Sequence, residues 1–555
     1  MKTGAVIGKS VKNDIKLYIY SGIYAAIIAA MLVVGREMTV YRCFFTPPAK
    51  LALRFLGVWL AAFAVTALLW KLLDMINSRR NTAENRINLT ISHNIYIYIF
   101  IFCALAPMWL INFPGTFLGD TTLQLAEYEQ GTISRSFPVL HTVFVGFFIT
   151  LGKSIFGSYN GGIALAVFVQ LAIISGILTY TAVFFDRRSS LPHAGWLLAL
   201  LYVITPVLRL FSKDLVRDTL FSFFALLTGF MLYSALYEPE RICKKPLKAA
   251  LFAAIMAAAL FLRNSAILLI AAEVIVFLVK WRKNISHKKV LALFAAVLVL
   301  WGVWSGLIAD RVTVKDSVFE GVAKSGIKES LSVPIQQISR AAAYNWDRLT
   351  PEEKDTILEL FSEDTIKNYD DDCADIAKAE FDQDKFNADR GKYVKEWLKL
   401  GMKYKRSYLE AFLVLNTEAY YPDTCFDGSS IYGDVSYYSS GTAAPGKTAS
   451  LFPKVYERLS SAMEQRSFEK YPLIKLLLAP ATMLYLLLFA VFYTRCRGGK
   501  GGIILLPAIF IHLGTLFGPV ASLRYCLASF ISAAPAIMLL LSPVENTETR
   551  EEIKQ

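Results

Sequence analysis

The sequence is short of charge. Of its 555 residues only 19% are Asp, Glu, Lys or Arg, against 55% hydrophobic residues and a mean hydropathy of +0.44. Soluble domains carry roughly a quarter charged residues, so this composition excludes a soluble enzyme and indicates a polytopic membrane protein. Acids are scarcer still outside one stretch. Residues 310–470 hold 28 Asp and Glu against 22 Lys and Arg, a balance of −6; the whole chain holds 45 and 58, so the remainder holds 17 and 36, a balance of +19. The net charge of +13 thus averages a mildly acidic, water-facing segment with a basic, membrane-embedded remainder. That basic excess belongs to membrane topology. No basic segment interleaved with aromatics points to a nucleic acid partner.

Metal and nucleotide signatures are also missing. The seven Cys are scattered without a CxxC, the five His do not cluster with them, and no zinc spacing exists. Cys373 and Cys425 share the water-facing segment, and both a disulfide and two unrelated thiols remain open. There is no Gly-rich phosphate loop and no internal repeat.

What the sequence has is apolar runs. A spanning helix needs about 20 mostly apolar residues, and twelve runs qualify: 17–35, 52–73, 94–112, 161–185, 193–211, 216–237, 249–264, 265–281, 290–309, 472–494, 503–521 and 524–542. Lys2, Lys9, Lys12 and Lys16 precede the first, with no small-residue cleavage site after it, which reads as an uncleaved helix with a cytoplasmic N-terminus. The run 139–156 is decided by charge. If it crosses, the clusters at Arg187-Arg188, at Arg241, Lys244 and Lys245, and at Arg282, Lys283, Lys288 and Lys289 all fall outside. If it does not, all three fall inside, with Arg495, Arg497 and Lys500. The positive-inside rule therefore makes 139–156 an interfacial or re-entrant piece on the outer side. Arg36, Arg42 and Lys50 in the first outer loop run against the same rule.

This topology places both termini in the cytoplasm and 310–471 outside. In that segment Thr350-Pro351-Glu352-Glu353 is a capping-box start with Pro at the first helical position, predicting a helix to about Phe361. A second helix is expected from about Tyr393 to Leu415, with Trp397, Leu400, Tyr404, Tyr408 and Phe412 near one face. Asp423 to Lys447 reads as a long loop. The chain divides into two N-terminal spans (1–90), a central membrane module (91–309), a mostly helical outer domain (310–471), three C-terminal spans (472–545) and a cytoplasmic tail (546–555).

The candidate chemistry begins in the stretch Phe113 to Thr142, with Asp120, Glu127 and Glu129. Asp120 just beyond a membrane exit can take a proton from a hydroxyl or hold a divalent cation such as Mg2+ or Mn2+; it also reads as a helix N-cap. Asp214 and Asp218 are four apart and share a helix face, as do Lys213 and Arg217. They read as a cleft-facing cluster or as a solvated helix start. His141 can bind a phosphate, orient an acid or serve structure alone. Arg263, Asn264 and Arg524 fall at the outer surface, where an Arg can clamp a phosphate or snorkel. Glu273 falls near mid-membrane and reads as a polar contact inside the bundle, though it is also the best argument for a transporter. Asp370, Asp371, Asp372 and Asp375 lack EF-hand spacing and read as a solvated turn.

The order and sidedness of these residues resemble the GT-C superfamily of membrane glycosyltransferases. The resemblance implies a seven-helix module: 94–112 as its first helix, 113–160 as the outer loop with the catalytic acid at Asp120 and a juxtamembrane piece at 139–156, then six spans from 161 to 309. More narrowly, the chain is similar to an uncharacterised bacterial family assigned to that superfamily. It matches at Pro114-Gly115, Gly119-Asp120, Gln124, Pro138, His141-Thr142, Arg263-Asn264, Pro334, Gln336, Gln337, Arg340 and Arg524-Tyr525. It departs at Phe137, where a His is expected, and in a doubled Lys213-Asp214, Arg217-Asp218 element.

What the resemblance implies is an all-α polytopic membrane protein with about twelve transmembrane helices, a GT-C-like module and a mostly helical extracytoplasmic domain. The implied activity moves a sugar from a polyprenyl-phosphate donor to a hydroxyl of an envelope glycan or lipid acceptor, at the outer face of a bilayer, without nucleic acid. Asp120 would be base or metal ligand, and Asp218 or Asp214 would position substrate. Arg263, Asn264, Arg524, Lys213, Arg217 and His141 would hold the leaving phosphate, with Gln336 and Arg340 at the border. A lipid-linked sugar transporter and a non-catalytic assembly factor are the alternatives.

Overall fold

Apolar runs too long to bury in water fold here as helices, because a helix satisfies its own backbone hydrogen bonds. The computed structural model describes residues 2–78, 91–116, 119–281, 284–314, 327–423, 446–465 and 467–542. Cys425, the tail 546–555 and nearly all of the loop 423–447 lie outside these residues, as do Arg79, Arg80 and Arg86. Among the described residues there is no named strand, only two isolated bridges, Thr116 with Asp214 and Ser134 with Val314.

The helices used below are α1 (Lys2–Tyr41), α2 (Pro48–Ser78), α3 (Ile91–Ile111), α4 (Gly119–Gln130), α5 (Val139–Phe156), α6 (Tyr159–Arg188), α7 (Ala194–Ile204), α8 (Pro206–Ser212), α9 (Arg217–Tyr237), α10 (Pro246–Leu262), α11 (Ala266–Val279) and α12 (Ile285–Val303) in the first part of the chain. The outer segment contributes α13 (Ser332–Asn345), α14 (Pro351–Leu360), α15 (Arg390–Lys403), α16 (Lys405–Leu415) and α17 (Pro453–Glu464). The last part holds α18 (Pro472–Leu478), α19 (Pro480–Cys496), α20 (Leu506–Thr515) and α21 (Leu527–Leu541).

Eight helical stretches are long and apolar enough to cross a bilayer, or ten if each of two bent pairs counts as one span. Twelve is the count expected from run length; eight to ten is what helix length and composition give among the described residues. The run 193–211 bends by 73° between α7 and α8, and 472–494 by 71° between α18 and α19. Pro206 and Pro480 open the second helix of each pair; a proline offers no N–H to the preceding turn and disfavours helix in the residue before it. The stretch 249–281 divides at Arg263–Ser265 into α10 and α11, each shorter than a span needs.

Polar links tie the helices at two opposite ends. At one, Asn77 bonds Tyr493 and the Leu540 carbonyl, His93 meets Asp186, Arg188 pairs with Glu238, and Ser189 bonds Ser542. At the other, the loop after α3 meets the loop before α9, and α10 hands over to α11. The helix α5 starts at this second end and packs along α6. His141, near its start, lies beside Gln124 of α4, and near its finish Gly152 packs on Gly162 of α6, with ideal Cβ positions only 2.7 Å from backbone. By length and composition α5 is one of the eight candidates; by geometry it lies along the first half of α6, from Gly161 to the level of Gln170.

The segment 327–423 has its own apolar core, in which Ile335, Ile357, Leu360, Phe381, Leu400 and Tyr408 are buried. The capping box at Thr350 and Glu353 forms as its sequence predicts. The expected helix 393–415 is instead two, α15 and α16, broken at Tyr404. The break turns Tyr408 back so that its hydroxyl donates to the Trp397 carbonyl at 3.0 Å, packing the predicted apolar face onto itself.

Candidate functional site

Asp120 is held in place by a backbone pin. The loop after α3 turns through Gly115, whose φ of +137° and lack of a side chain are both required: a Cβ there would stand 2.4 Å from Val167. Thr116 then runs parallel to the loop before α9, with its N–H donating to the Lys213 carbonyl at 3.3 Å and its carbonyl accepting from Leu215 N–H at 3.0 Å. The Thr121 hydroxyl donates to the Leu215 carbonyl. From α6, the Gln170 amide donates to the carbonyls of Ser212 and Asp214 at 3.0 and 2.9 Å. An amide inside an otherwise apolar run is the sequence signal that marks Gln170, and it was not among the residues read as functional.

Lys213 and Asp214 belong to this pin. Lys213 Nζ donates to Asp214 Oδ1 at 2.6 Å and to Thr116 Oγ1 at 3.2 Å, and both side chains are at most 3% exposed. The doubled Lys-Asp, Arg-Asp element therefore divides its labour: the first pair locks two loops together, and the second faces a cluster.

That cluster comes from four separate elements. Arg217 and Asp218 open α9, Arg263 follows α10, Arg524 precedes α21 and Asp120 sits in the first turn of α4. Asp120 is thus inside the helix rather than its N-cap. Its carboxylate stands 3.4 Å from Arg217 Nη2, and the two side chains are 34% and 22% exposed. Asp218 is buried, pairs with Arg263, and lies within Coulomb reach of Arg217 and Arg524 as well. Tyr525 takes both of the other guanidiniums, with Arg263 5.0 Å and Arg524 4.9 Å from its ring centroid. Arg217, Arg263 and Arg524 thus come together with Asp120 and Asp218. The second oxygen of Asp218, Oδ2, has no hydrogen-bond partner.

His141 lies within Coulomb reach of Arg217 and Asp218, and its hydrogen bonds define its tautomer. The Thr142 hydroxyl donates to the Pro138 carbonyl, so it accepts from the Gln124 amide nitrogen at 3.2 Å. The Gln124 oxygen then accepts from His141 Nδ1–H at 3.0 Å. This leaves Nε2 as a bare acceptor, and it has no partner. An acceptor of this kind suits a hydroxyl; it does not suit a phosphate oxygen, so the phosphate role read from sequence passes to the arginines.

The remaining predicted residues lie elsewhere. Glu127 is fully buried and accepts from the Ser134 N–H and hydroxyl at 2.9 and 2.8 Å; Glu129 accepts from Tyr159 at 2.9 Å. Asn264 donates to the Arg135 carbonyl at 3.3 Å. Glu273 accepts from Thr228 at 2.6 Å inside the bundle, as a polar contact between α11 and α9. Gln336 and Arg340, expected at the border of the site, find their partners in the segment 327–423 and at Arg42. The Gln336 amide donates to the Asp370 carbonyl, and Arg340 pairs with Asp371 and Glu410 while donating to the Arg42 carbonyl. Asp372 in turn pairs with Arg42. The acidic run is therefore neither a calcium loop nor a solvated turn; it grips arginines. Burial pushes the Asp372 carboxyl above the usual range, partly offset by Arg42. A divalent cation at Asp120 finds no ligand set: among the described residues no three His, Cys, Asp or Glu gather, and the carboxylate already faces Arg217.

A family of unknown function, DUF6020, matches residues 125–554. The chain belongs to that family. The match begins just after Asp120 and takes in His141, Lys213 to Asp218, Arg263 and Arg524. No curated protein and no solved structure matches the chain.

Proposed function

We propose that this member of DUF6020 is a membrane glycosyltransferase that moves a sugar from a polyprenyl-phosphate donor to a hydroxyl of a cell-envelope acceptor. One observation carries the reading: a partly exposed carboxylate, Asp120, lies beside Arg217 in a cluster that also gathers Asp218, Arg263 and Arg524, at one end of an apolar bundle. Asp120 takes the proton of the acceptor hydroxyl as its oxygen attacks the anomeric carbon. The bond from that carbon to the phosphate oxygen breaks, and its electron pair leaves with the phosphate. Arg217, Arg263 and Arg524 meet the charge that develops there, and their planar forks suit phosphate oxygens. Asp218 holds Arg263 in position, and Tyr525 holds Arg263 and Arg524 against one ring. His141 Nε2 accepts from a hydroxyl of the sugar or the acceptor. On this reading the cluster faces the outside of the cytoplasmic membrane, and the segment 310–471 faces the same side.

The test is envelope glycan composition by mass spectrometry in cells lacking the protein, complemented with wild type or Asp120→Asn at matched expression. The expected result is that Asp120→Asn and the deletion lose the same sugar. If Asp120→Asn restores the wild-type profile, the carboxylate is not a base, and a lipid-linked sugar transporter or an assembly factor takes the place of this reading.

A further inference from the structure

None of the described side chains of α17 is buried, yet its sequence is not that of a solvated helix. Phe452 at its start, Val455, Leu459 and Met463 recur at helical spacing and form one stripe; Lys454, Glu457 and Arg458 take the opposite side. Phe452, Val455 and Leu459 are exposed, so the stripe's first half is uncovered. A stripe of this kind in a water-surrounded helix is a cost unless something covers it.

Its surroundings say what covers it. The segment before α17 is tied to the membrane end of α3: Ala449 N–H donates to the Phe113 carbonyl at 2.8 Å, and Leu451 N–H to the Leu110 carbonyl at 3.1 Å. Met463, at the far end of the stripe, packs against the core of the membrane bundle. Eight residues after α17 the chain enters α18, whose Leu473 and Leu477 are exposed, and then α19 within the bundle. The apolar stripe is therefore continuous at both ends with the surface the bundle turns to lipid.

We propose that α17 is a lipid-surface helix, lying along the bilayer boundary at the end of the bundle that carries the Asp120 cluster. Its stripe enters the boundary between headgroups and acyl chains, and its charged side faces water. It holds the segment 446–452 down on α3 and on Asn160, whose amide exchanges two hydrogen bonds with the Lys447 backbone at 2.7 and 2.9 Å. The inference is independent of glycosyl transfer.

The test uses the full-length protein in nanodiscs of phosphatidylcholine and phosphatidylglycerol, three to one, with a small fluorophore attached through a genetically encoded amino acid at Val455, Leu459, Lys454 or Glu457. Brominated phosphatidylcholine should quench the labels at 455 and 459 at least about twofold more than those at 454 and 457, with aqueous iodide giving the reverse order. Equal iodide quenching at all four positions overturns the proposal. So does shielding of 455 and 459 from both quenchers, which would mean that protein covers the stripe. A label can disturb the helix it reports on, so the double variant V455D/L459D is measured by amide exchange. Exchange over 453–463 should rise about tenfold in nanodiscs, and no change there also overturns the proposal.

Discussion

Two clusters in this protein each set three arginines among buried or half-buried carboxylates, and they obey different rules. Where the turn after α1 meets the segment 327–423, Arg340, Arg42 and Arg406 pair with Asp371, Asp372 and Glu410. Backbone completes the set: Arg340 donates to the Arg42 carbonyl, Arg406 to the Phe44 carbonyl, and Glu410 accepts from Phe44 N–H at 2.9 Å. The result clamps the turn between α1 and α2 onto the outer core. At the end of the bundle Arg217, Arg263 and Arg524 come together with Asp120 and Asp218, and Asp218 Oδ2 and His141 Nε2 have no hydrogen-bond partner. A cluster whose arginines are taken up by carboxylates and by backbone carbonyls is a joint; one that leaves two acceptors open beside partly exposed side chains is a place for a ligand.

Breaking the joint should have the largest effect. Arg340 is 1% exposed, and Arg340→Ala leaves Asp371 and Glu410 without it. The expected loss is about 3–5 kcal/mol, read as a fall in the unfolding midpoint of the purified protein in nanodiscs. Arg340→Lys should rescue little, because one ammonium cannot reach both carboxylates and the Arg42 carbonyl. If Arg340→Ala costs no more than Arg524→Gln, the distinction between the clusters fails.

Arg524→Gln sharpens the other side. It should leave the unfolding midpoint near wild type and weaken inorganic pyrophosphate binding about tenfold, as loss of one charge-assisted hydrogen bond implies. Asp218→Asn should move binding the opposite way, since it removes a negative charge. Isothermal titration of both variants decides it; equal weakening would mean that the arginines do not act as an anion site.

Acid should loosen the outer core before it reaches the bundle. Burial alone would raise the Glu353 carboxyl, but hydrogen bonds from Lys403 and the Thr350 backbone outweigh it and hold it below the usual range. A depressed folded value means that the stabilisation is complete above the unfolded value, roughly pH 4.3, and is lost as pH falls through the folded one. Amide exchange over 351–403, corrected for intrinsic rates, should therefore rise below about pH 4.5. Lys403→Met should remove most of that pH dependence.

The smallest effect is expected at Glu273. Gln keeps an acceptor for Thr228, so Glu273→Gln should change the unfolding midpoint by less than about 0.5 kcal/mol in equivalent stability and leave the envelope glycan unchanged. Loss of the glycan in this variant, with Asp120→Asn silent, would favour a proton-linked transporter.

Much of the arrangement is legible in the sequence because it rests on local chemistry. Run length and composition give the membrane class. The spacing at Thr350 gives a cap that forms, whereas 139–156, which the charge rule keeps from crossing, folds as a helix long and apolar enough to cross. Other readings failed because a run of apolar letters does not say whether its helix stays straight or long enough: Pro206 and Pro480 bend two runs, and 249–281 yields two short helices. Charge letters are more ambiguous still. Arg42 in the first loop runs against the positive-inside rule until the fold sets Asp372 beside it, and Gln336 and Arg340, which resemble site residues by order, turn out to hold that same joint.

The sequence by itself therefore determined the solvent in which this protein lives and the identity of its few polar side chains near the ends of the runs. Apolar burial and local capping depend on neighbours along the chain, which the letters show. Only the tertiary structure decided which charge answers which. Asp120, Arg217, Arg263 and Arg524 are spread over more than 400 residues, and Coulomb attraction and hydrogen bonding act over a few ångströms of space. Whether an acid is a pin, a joint or an open site was settled by the loop crossing at Thr116 and Asp214, not by its own place in the chain.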